Sequence, residues 1–247
     1  MLLNTHIFQG LLSKFFYLRY RNITNHTMQI FDKEKVNLQW RNNLVLLICI
    51  LVLFIVGPSL FIRDAPLIMT IMFTLLILSS MAVIEYAPLV KKVLLFTSIL
   101  VIVFVWAEYF FPFQSILIIS FTLLSVYLFT ITISLIVHVA LSKDVNANII
   151  FSAINGYLLL GINGSIALLI MDRLSSTNVL SNIKADSFYD YVYFSFVTLT
   201  TLGYGDLTPI SAGGRALAML LSITGQLYVA ILIAMLVGKF LSKSNNQ

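Results

Sequence analysis

Six long apolar runs, nearly free of charged side chains, dominate the chain. Each is close to the ~20 residues with which a helix crosses ~30 Å of hydrocarbon at ~1.5 Å per residue. Helices are expected because a segment in lipid must satisfy its own backbone, and the runs lack the polar alternation of membrane strands. The predicted spans are Leu44–Ile62, Leu67–Ile84, Val93–Phe111, Ser115–Leu141, Ile149–Met171 and Ala216–Gly238.

A seventh apolar run is too short to cross. Phe188–Leu199 lies in the long interval Asp172–Arg215, between the fifth and sixth spans. As a helix it would measure roughly 18 Å, so we expect it to lie outside the membrane or to enter and return on one side. Ser187 and Asp190 form a capping pattern that favours a helix beginning near Phe188.

Composition supports the same class. Hydrophobic residues make up 60% of the 247 residues and charged residues 10%, against ~25% charged in soluble domains. The single cysteine, Cys49, excludes an intramolecular disulfide and a cysteine metal cluster. We find no metal-ligand spacing, phosphate loop or nucleophile with a base. The sequence therefore predicts an all-α membrane protein, not an enzyme, without a cofactor and without a nucleic-acid partner.

Basic residues predict the orientation. With a cytoplasmic amino terminus, 11 of the 15 lysines and arginines lie inside, and the remainder lie outside. This bias predicts a protein of the cell membrane with both termini in the cytoplasm. It places the Asp172–Arg215 interval on the outer side.

Four regions are predicted along the chain. They are a cytoplasmic segment (1–43), a four-helix membrane domain (44–145), a pore domain (146–240) and a short cytoplasmic tail (241–247). Apolar residues alternating with basic ones near the amino terminus indicate either an interfacial helix or a poorly ordered terminus.

The segment after the short apolar run carries candidate chemistry. The partial negative charge at the carboxyl end of that helix would lie near Thr200, where it favours a cation. Gly203 and Gly205 permit backbone angles closed to other residues, so successive carbonyls can turn toward one axis. An ion leaving water needs such oxygen ligands, and four copies of the strand can surround it.

The segment Thr198–Asp206 closely resembles the signature filter of the pore-loop potassium channels, and the resemblance extends over Ile149–Phe240. It implies a homotetramer with six spans, a re-entrant pore helix and a selectivity-filter loop in each subunit. The implied partners are three identical subunits and membrane lipids. K⁺ is the implied permeant ion, moving passively.

The resemblance also implies residue roles. K⁺ would be bound by the carbonyls of Thr201, Leu202, Gly203 and Tyr204, with the Thr201 hydroxyl at the cavity end and Gly205 closing the outer mouth. The Tyr204 ring would pack against the pore helix. Filter support would come from Tyr193, Phe194, Thr200 and Asp206. Leu202 replaces the commoner valine, and Tyr193-Phe194 replaces a tryptophan pair, which leaves fewer indole donors around the filter.

Two roles are open for Gly225, in the middle of the sixth span. It is a candidate gating hinge by resemblance, or a small residue that lets helices approach closely. The fifth-span glycines Gly156, Gly161 and Gly164 are interpreted as packing residues.

The first four spans show no voltage sensor. The fourth contains no arginine or lysine, and its one ionisable candidate is His138; Arg63 and the Lys91-Lys92 pair are placed in loops. Glu108 is predicted at the outer interface, with its side chain reaching toward water. These spans are interpreted as a packing collar, or as a receptor for lipid or a partner.

Three alternatives remain beside a potassium-selective channel. A cation transporter would carry four degenerate loops in one chain, whereas this chain has one. A poorly selective cation channel would differ only in measured selectivity. A membrane-embedded assembly subunit would conduct nothing alone.

Overall fold

The computed structural model describes residues 39–57, 66–83, 88–142, 145–175, 177–183 and 188–244. The chain divides into two units, Met1–Arg41 and Asn42–Gln247. The predicted amino-terminal helix, the proposed cap at Ser187 and the predicted ends Ile62 and Ile84 lie outside the described residues.

The described part is helical, with a single isolated β-bridge between Leu180 and Pro209. Five of its helices are long and apolar enough to cross a membrane, which makes this a membrane protein. The helices are α1 (Gln39–Gly57), α2 (Pro66–Met81), α3 (Pro88–Phe110), α4 (Gln114–Leu141), α5 (Ala147–Leu174), α6 (Phe188–Leu199) and α7 (Ala212–Ser244).

The second predicted span is shorter in the structure than in the sequence analysis. Its helix, α2, has 16 residues, which gives roughly 24 Å, below the ~30 Å of hydrocarbon. Residues 82 and 83 form a turn and a bend instead of continuing the helix.

Two predicted helix starts are also corrected. Lys91 and Lys92 lie within α3, not in a loop, because the helix begins at Pro88, and proline is favoured in the first helical turn. Both lysine side chains are exposed. Helix α7 begins at Ala212, four residues before the predicted start, because the Ser211 hydroxyl accepts a hydrogen bond from the Gly214 N–H at 3.0 Å and so caps it.

Buried asparagines join α1 to α5. The Asn43 side chain donates to Asn148 Oδ1 at 2.7 Å, and the Asn155 side chain donates to the Asn43 carbonyl at 2.8 Å. All three residues are almost fully buried. Polar side chains bonded across helices in this way hold membrane helices together where lipid offers no hydrophobic drive.

Side chains of neighbouring helices pack directly against the fifth-span glycines. A methyl group on Gly161 would overlap the Phe196 ring of α6, and one on Gly156 would overlap the Tyr228 hydroxyl of α7. Gly164 lies against Ser195 and Leu221 in the same manner. The predicted packing role of these glycines is confirmed.

The far end of α7 is tied to the end of α4. The Lys239 ammonium donates to the Val139 carbonyl at 2.9 Å and to the Ser142 hydroxyl at 3.0 Å. A cation at these carbonyls complements the negative end of the helix. This contact holds the carboxyl-terminal part of α7, while most of the surface of α7 stays uncovered by the single chain.

Glu108 differs from its predicted setting. Its carboxylate accepts a hydrogen bond from the Ser120 hydroxyl of α4 at 2.6 Å, and its side chain is partly buried. It lines a cavity between helices. The prediction that it reaches outward to water is therefore wrong, because Ser120 gives it a partner inside the bundle.

Candidate functional site

The short helix α6 leads directly into residues 201–206, the glycine-containing segment. The N–H groups of Leu202 and Gly203 both donate to the Val197 carbonyl, at 2.9 and 3.2 Å. Just before them, the Thr201 N–H donates to the Thr198 carbonyl at 3.0 Å. The last turn of α6 therefore holds the N–H side of the segment.

These bonds fix where the carbonyls point. A trans peptide unit is planar, and its C=O is directed away from its N–H. Since the N–H groups of Leu202 and Gly203 share one acceptor, the carbonyls of Thr201 and Leu202 both face away from Val197. Two successive carbonyls on one side are unusual in extended backbone, where neighbouring carbonyls alternate.

The backbone angles explain how this is achieved. Thr201, Gly203 and Gly205 have φ values of 60°, 55° and 79°, while the intervening Leu202 and Tyr204 are not among the residues with positive φ. A β-branched residue at positive φ is a strained outlier, and such strain clusters at functional sites. Around Gly203 and Gly205 an added Cβ would meet nothing within 4 Å in the single chain, so the glycines serve backbone conformation rather than space.

The segment is open in the single chain. Every residue from Thr201 to Asp206 is exposed, Leu202 at 55% and Tyr204 at 67%. The packing of the Tyr204 ring against a pore helix stays a prediction, and it concerns an assembly of chains. One carbonyl row on one chain cannot surround an ion.

A hydrogen bond joins α6 to the outer arm of the segment, which is the stretch from Asp206 to Thr208. The Tyr193 hydroxyl donates to Asp206 Oδ2 at 2.7 Å. This bond is the main reason that the pKa of Asp206 lies below its ordinary value, and it raises the pKa of Tyr193 to about 12. The aspartate therefore stays ionised to a lower pH than an ordinary aspartate does.

The two other predicted support residues lie on or beside α6. Phe194 is buried in the core, with 5% of its surface exposed. The Thr200 hydroxyl donates to the Phe196 carbonyl at 2.7 Å, so it stabilises the end of α6. Serine and threonine often bond back to a carbonyl of the preceding turn in this way.

Sequence reasoning missed a clamp behind the outer arm. The Ser181 N–H donates to the Thr208 carbonyl at 2.8 Å, and the Thr208 N–H donates to the Ser181 hydroxyl at 3.0 Å. The Asn182 side chain donates to the Asp206 carbonyl at 3.3 Å. The partners are more than 20 residues apart, and no local pattern marks them.

Gly225 lies against the end of α6. A Cβ placed on it would overlap the Leu199 carbonyl, a backbone atom that has little freedom to move. Helix α7 runs through Gly225 without interruption. The packing role thus has a direct contact behind it, and the hinge role stays a prediction.

Comparisons with known proteins address the same region. Residues 157–242 match the family described as Ion channel. This stretch runs from within α5 through α6 and the glycine-containing segment to the last turn of α7. This part of the chain is similar to the pore domain of the pore-loop potassium-channel superfamily. The matched family is one of ion channels and not of enzymes.

Named relatives are similar to a short part of this chain. The chain is 39% identical over 51 residues to potassium voltage-gated channel subfamily A member 5 from Homo sapiens and from Oryctolagus cuniculus, and to subfamily A member 4 from Homo sapiens. The match covers 21% of this chain and only 8% of each relative.

The Tyr193–Asp206 bond can be tested by replacing Tyr193 with phenylalanine. The bond stabilises the ionised carboxylate, so its contribution is present above the ordinary pKa of ~3.9 and is lost as pH falls through the lowered folded value. Tyr193→Phe should move the Asp206 titration to higher pH. Infrared titration of the purified protein measures this shift, with Asp206→Asn identifying the carboxylate band.

Tyr109→Phe, which removes a hydroxyl from α3, is the matched control and should leave the band in place. An Asp206 midpoint that is the same in the wild type and in Tyr193→Phe would show that the bond does not set the ionisation of the outer arm.

Proposed function

We propose that this chain is one subunit of a homotetrameric, potassium-selective channel that conducts K⁺ passively across the cell membrane. The observation that carries the proposal is the shared Val197 acceptor, which turns the carbonyls of Thr201 and Leu202 to one side. The positive φ angles at Thr201, Gly203 and Gly205 continue this arrangement along the segment. A carbonyl row facing one way is what an ion needs to replace its water.

Four such rows around an axis would form the filter. The carbonyls of Thr201, Leu202, Gly203 and Tyr204 would bind K⁺ in succession, and the Thr201 hydroxyl would serve the cavity end. Gly205 would close the outer mouth. The negative end of α6 supports a cation near Thr200, because the partial charge of a helix terminus acts within its last turn.

The surface of α7 supports assembly. Only 11% of the apolar stretch of α7 is buried in the single chain. An inner helix of a tetramer needs such a surface, because it faces neighbouring subunits, lipid and the water-filled cavity. We place both termini in the cytoplasm on the basic-residue bias, and we assign α2 as the shortest of six spans.

Selectivity for potassium draws support from the relatives, whose names describe potassium channels. Because the match covers 8% of those proteins, their gating is not carried over to this chain.

The deciding experiment is K⁺ flux from liposomes that contain only this protein. We expect K⁺ to pass and Na⁺ to pass at least tenfold more slowly, and cross-linking of the same preparation to stop at four chains. Equal K⁺ and Na⁺ flux would show a poorly selective channel. Absence of flux, together with co-purification of another filter-bearing chain, would show an assembly subunit.

A further inference from the structure

A cavity of about 270 Å³ lies between α2, α3 and α4, away from the glycine-containing segment. Its walls are apolar and include the buried rings of Phe73 and Phe121 and the buried side chains of Val105 and Leu124. Glu108 is the one charged side chain among its described lining residues. Ligand pockets typically combine an apolar wall of this kind with a few placed polar groups.

The carboxylate is placed for recognition rather than left at the surface. Ser120, which has 1% of its surface exposed, donates to Glu108 Oε2 at 2.6 Å. An ionised carboxylate has two oxygens and about four acceptor positions, so one serine bond leaves room for a second donor. A carboxylate among apolar walls in a membrane bundle is costly and is a functional candidate by default.

The donor set indicates which ligand fits. Ca²⁺ takes six to eight oxygens and Mg²⁺ needs octahedral oxygens, whereas this cavity offers one carboxylate and the hydroxyls of Thr70, Tyr109 and Ser120. Thr70 already donates to the Pro66 carbonyl at 3.0 Å. An organic ammonium ion needs less: one carboxylate for its charge, and apolar and aromatic faces for its body.

We propose that this cavity binds a compact hydrophobic ammonium ion, with its N–H groups on the Glu108 carboxylate and its body against Phe73 and Phe121. The charge of Arg173 also reaches Glu108. It opposes a bound cation, so binding is weak and reversible.

The rings link the cavity to the pore helix. Phe73 and Phe121 lie edge to face with centroids 5.8 Å apart, and their centroids are 5.6 and 5.9 Å from that of Phe188. Phe188 is the first residue of α6. A bound ligand therefore contacts the rings that hold the start of the helix behind the filter, and it alters conduction through them.

The binding test uses calorimetry on the purified full chain, with cyclohexylammonium as the probe and cyclohexanol as a neutral probe of similar shape. Cyclohexylammonium should bind at least tenfold more tightly than cyclohexanol. Glu108→Gln should remove that difference, because a charged hydrogen bond is worth roughly tenfold or more in affinity. Gly203→Ala should leave it unchanged.

Equal affinity for the two probes in the wild-type protein would overturn the proposal without any variant. So would cyclohexylammonium binding that survives in Glu108→Gln but disappears in Gly203→Ala, since the amine would then occupy the ion pathway. None of these measurements needs conduction, so the binding site is tested even if the proposed channel function fails.

The link to the pore rests on the proposed function. In proteoliposomes, cyclohexylammonium should change K⁺ flux at least twofold in the wild type and not in Glu108→Gln. Binding with an unchanged wild-type flux would overturn this link.

Discussion

Gly203→Ala should abolish K⁺ flux from proteoliposomes while the protein remains folded and assembled. Gly203 has a φ of 55°, and an L-residue pays roughly 1–2 kcal/mol to hold such a conformation. In the proposed tetramer that cost recurs in each of four subunits. Because Thr201 already holds a φ of 60°, the segment has little tolerance for a second strained residue. We expect the backbone to relax and at least one carbonyl to leave the row.

Space is not the reason for this expectation. An added Cβ at Gly203 would meet nothing within 4 Å in the single chain, so the loss comes from the backbone angle. Gly238 is the matched control, because it lies in α7 at ordinary helical φ and its added Cβ also meets nothing within 4 Å. Alanine is favoured over glycine in a helix by about 1 kcal/mol, so Gly238→Ala should keep its flux.

The comparison is made at equal tetramer content, measured by cross-linking. Selective K⁺ flux that persists in an assembled Gly203→Ala protein would remove the filter assignment. Loss of flux in both variants would point instead to a general sensitivity of the protein to alanine.

The long spans were predictable because their signal is local. An apolar run of about 20 residues is read from composition alone, and the helices α1, α3, α4, α5 and α7 all lie on predicted runs. Helix α6 coincides with the predicted Phe188–Leu199. The errors fall at helix ends. Absence of charge predicts that the third span begins after Lys92, yet Lys91 and Lys92 lie within α3 because long lysine side chains reach water from inside a helix.

The partners across the fold were not predictable. Asn43 and Asn155 are 112 residues apart, and Ser181 and Thr208 are 27 apart. Nothing in the neighbourhood of either residue marks such a pair. Glu108 shows the same limit, because its inward direction depends on Ser120 of another helix. For the candidate site, the motif located the segment, but only the bonds to Val197 show how its carbonyls are turned.

The conductance of the proposed channel should depend only weakly on voltage, although the relatives that the chain matches are named as voltage-gated. One charge moving through 100 mV supplies ~2.3 kcal/mol, and steep gating needs ~3–4 such charges per subunit. Helix α4 contains no arginine, lysine, aspartate or glutamate among its 28 residues. Lys91 and Lys92 lie in the first turns of α3. At this terminus of the helix, a shift of α3 would carry little charge across the membrane field.

The packing of α4 supports the same expectation. Its buried apolar side chains include Leu128, Ile131 and Leu135, and Leu135 lies against Gly156 of α5. The Asn163 side chain of α5 accepts from Ser125 at 3.3 Å. A voltage-driven helix would have to slide past these contacts without a charge to drive it. We therefore interpret α1 to α4 as a packing collar around the pore helix. The Glu108 cavity within this collar would let a bound ligand, rather than voltage, change conduction.

The measurement is a conductance–voltage curve of the reconstituted protein in symmetric K⁺, with Gly203→Ala as the control for leak. We expect the curve to be shallow, equivalent to about one gating charge or fewer per channel, because the remaining mobile charges are ions within the filter. A steep sigmoid equivalent to several charges per channel would contradict the collar interpretation. It would require charge movement outside α4, and truncation of residues 1–38 would then be the next variant to record.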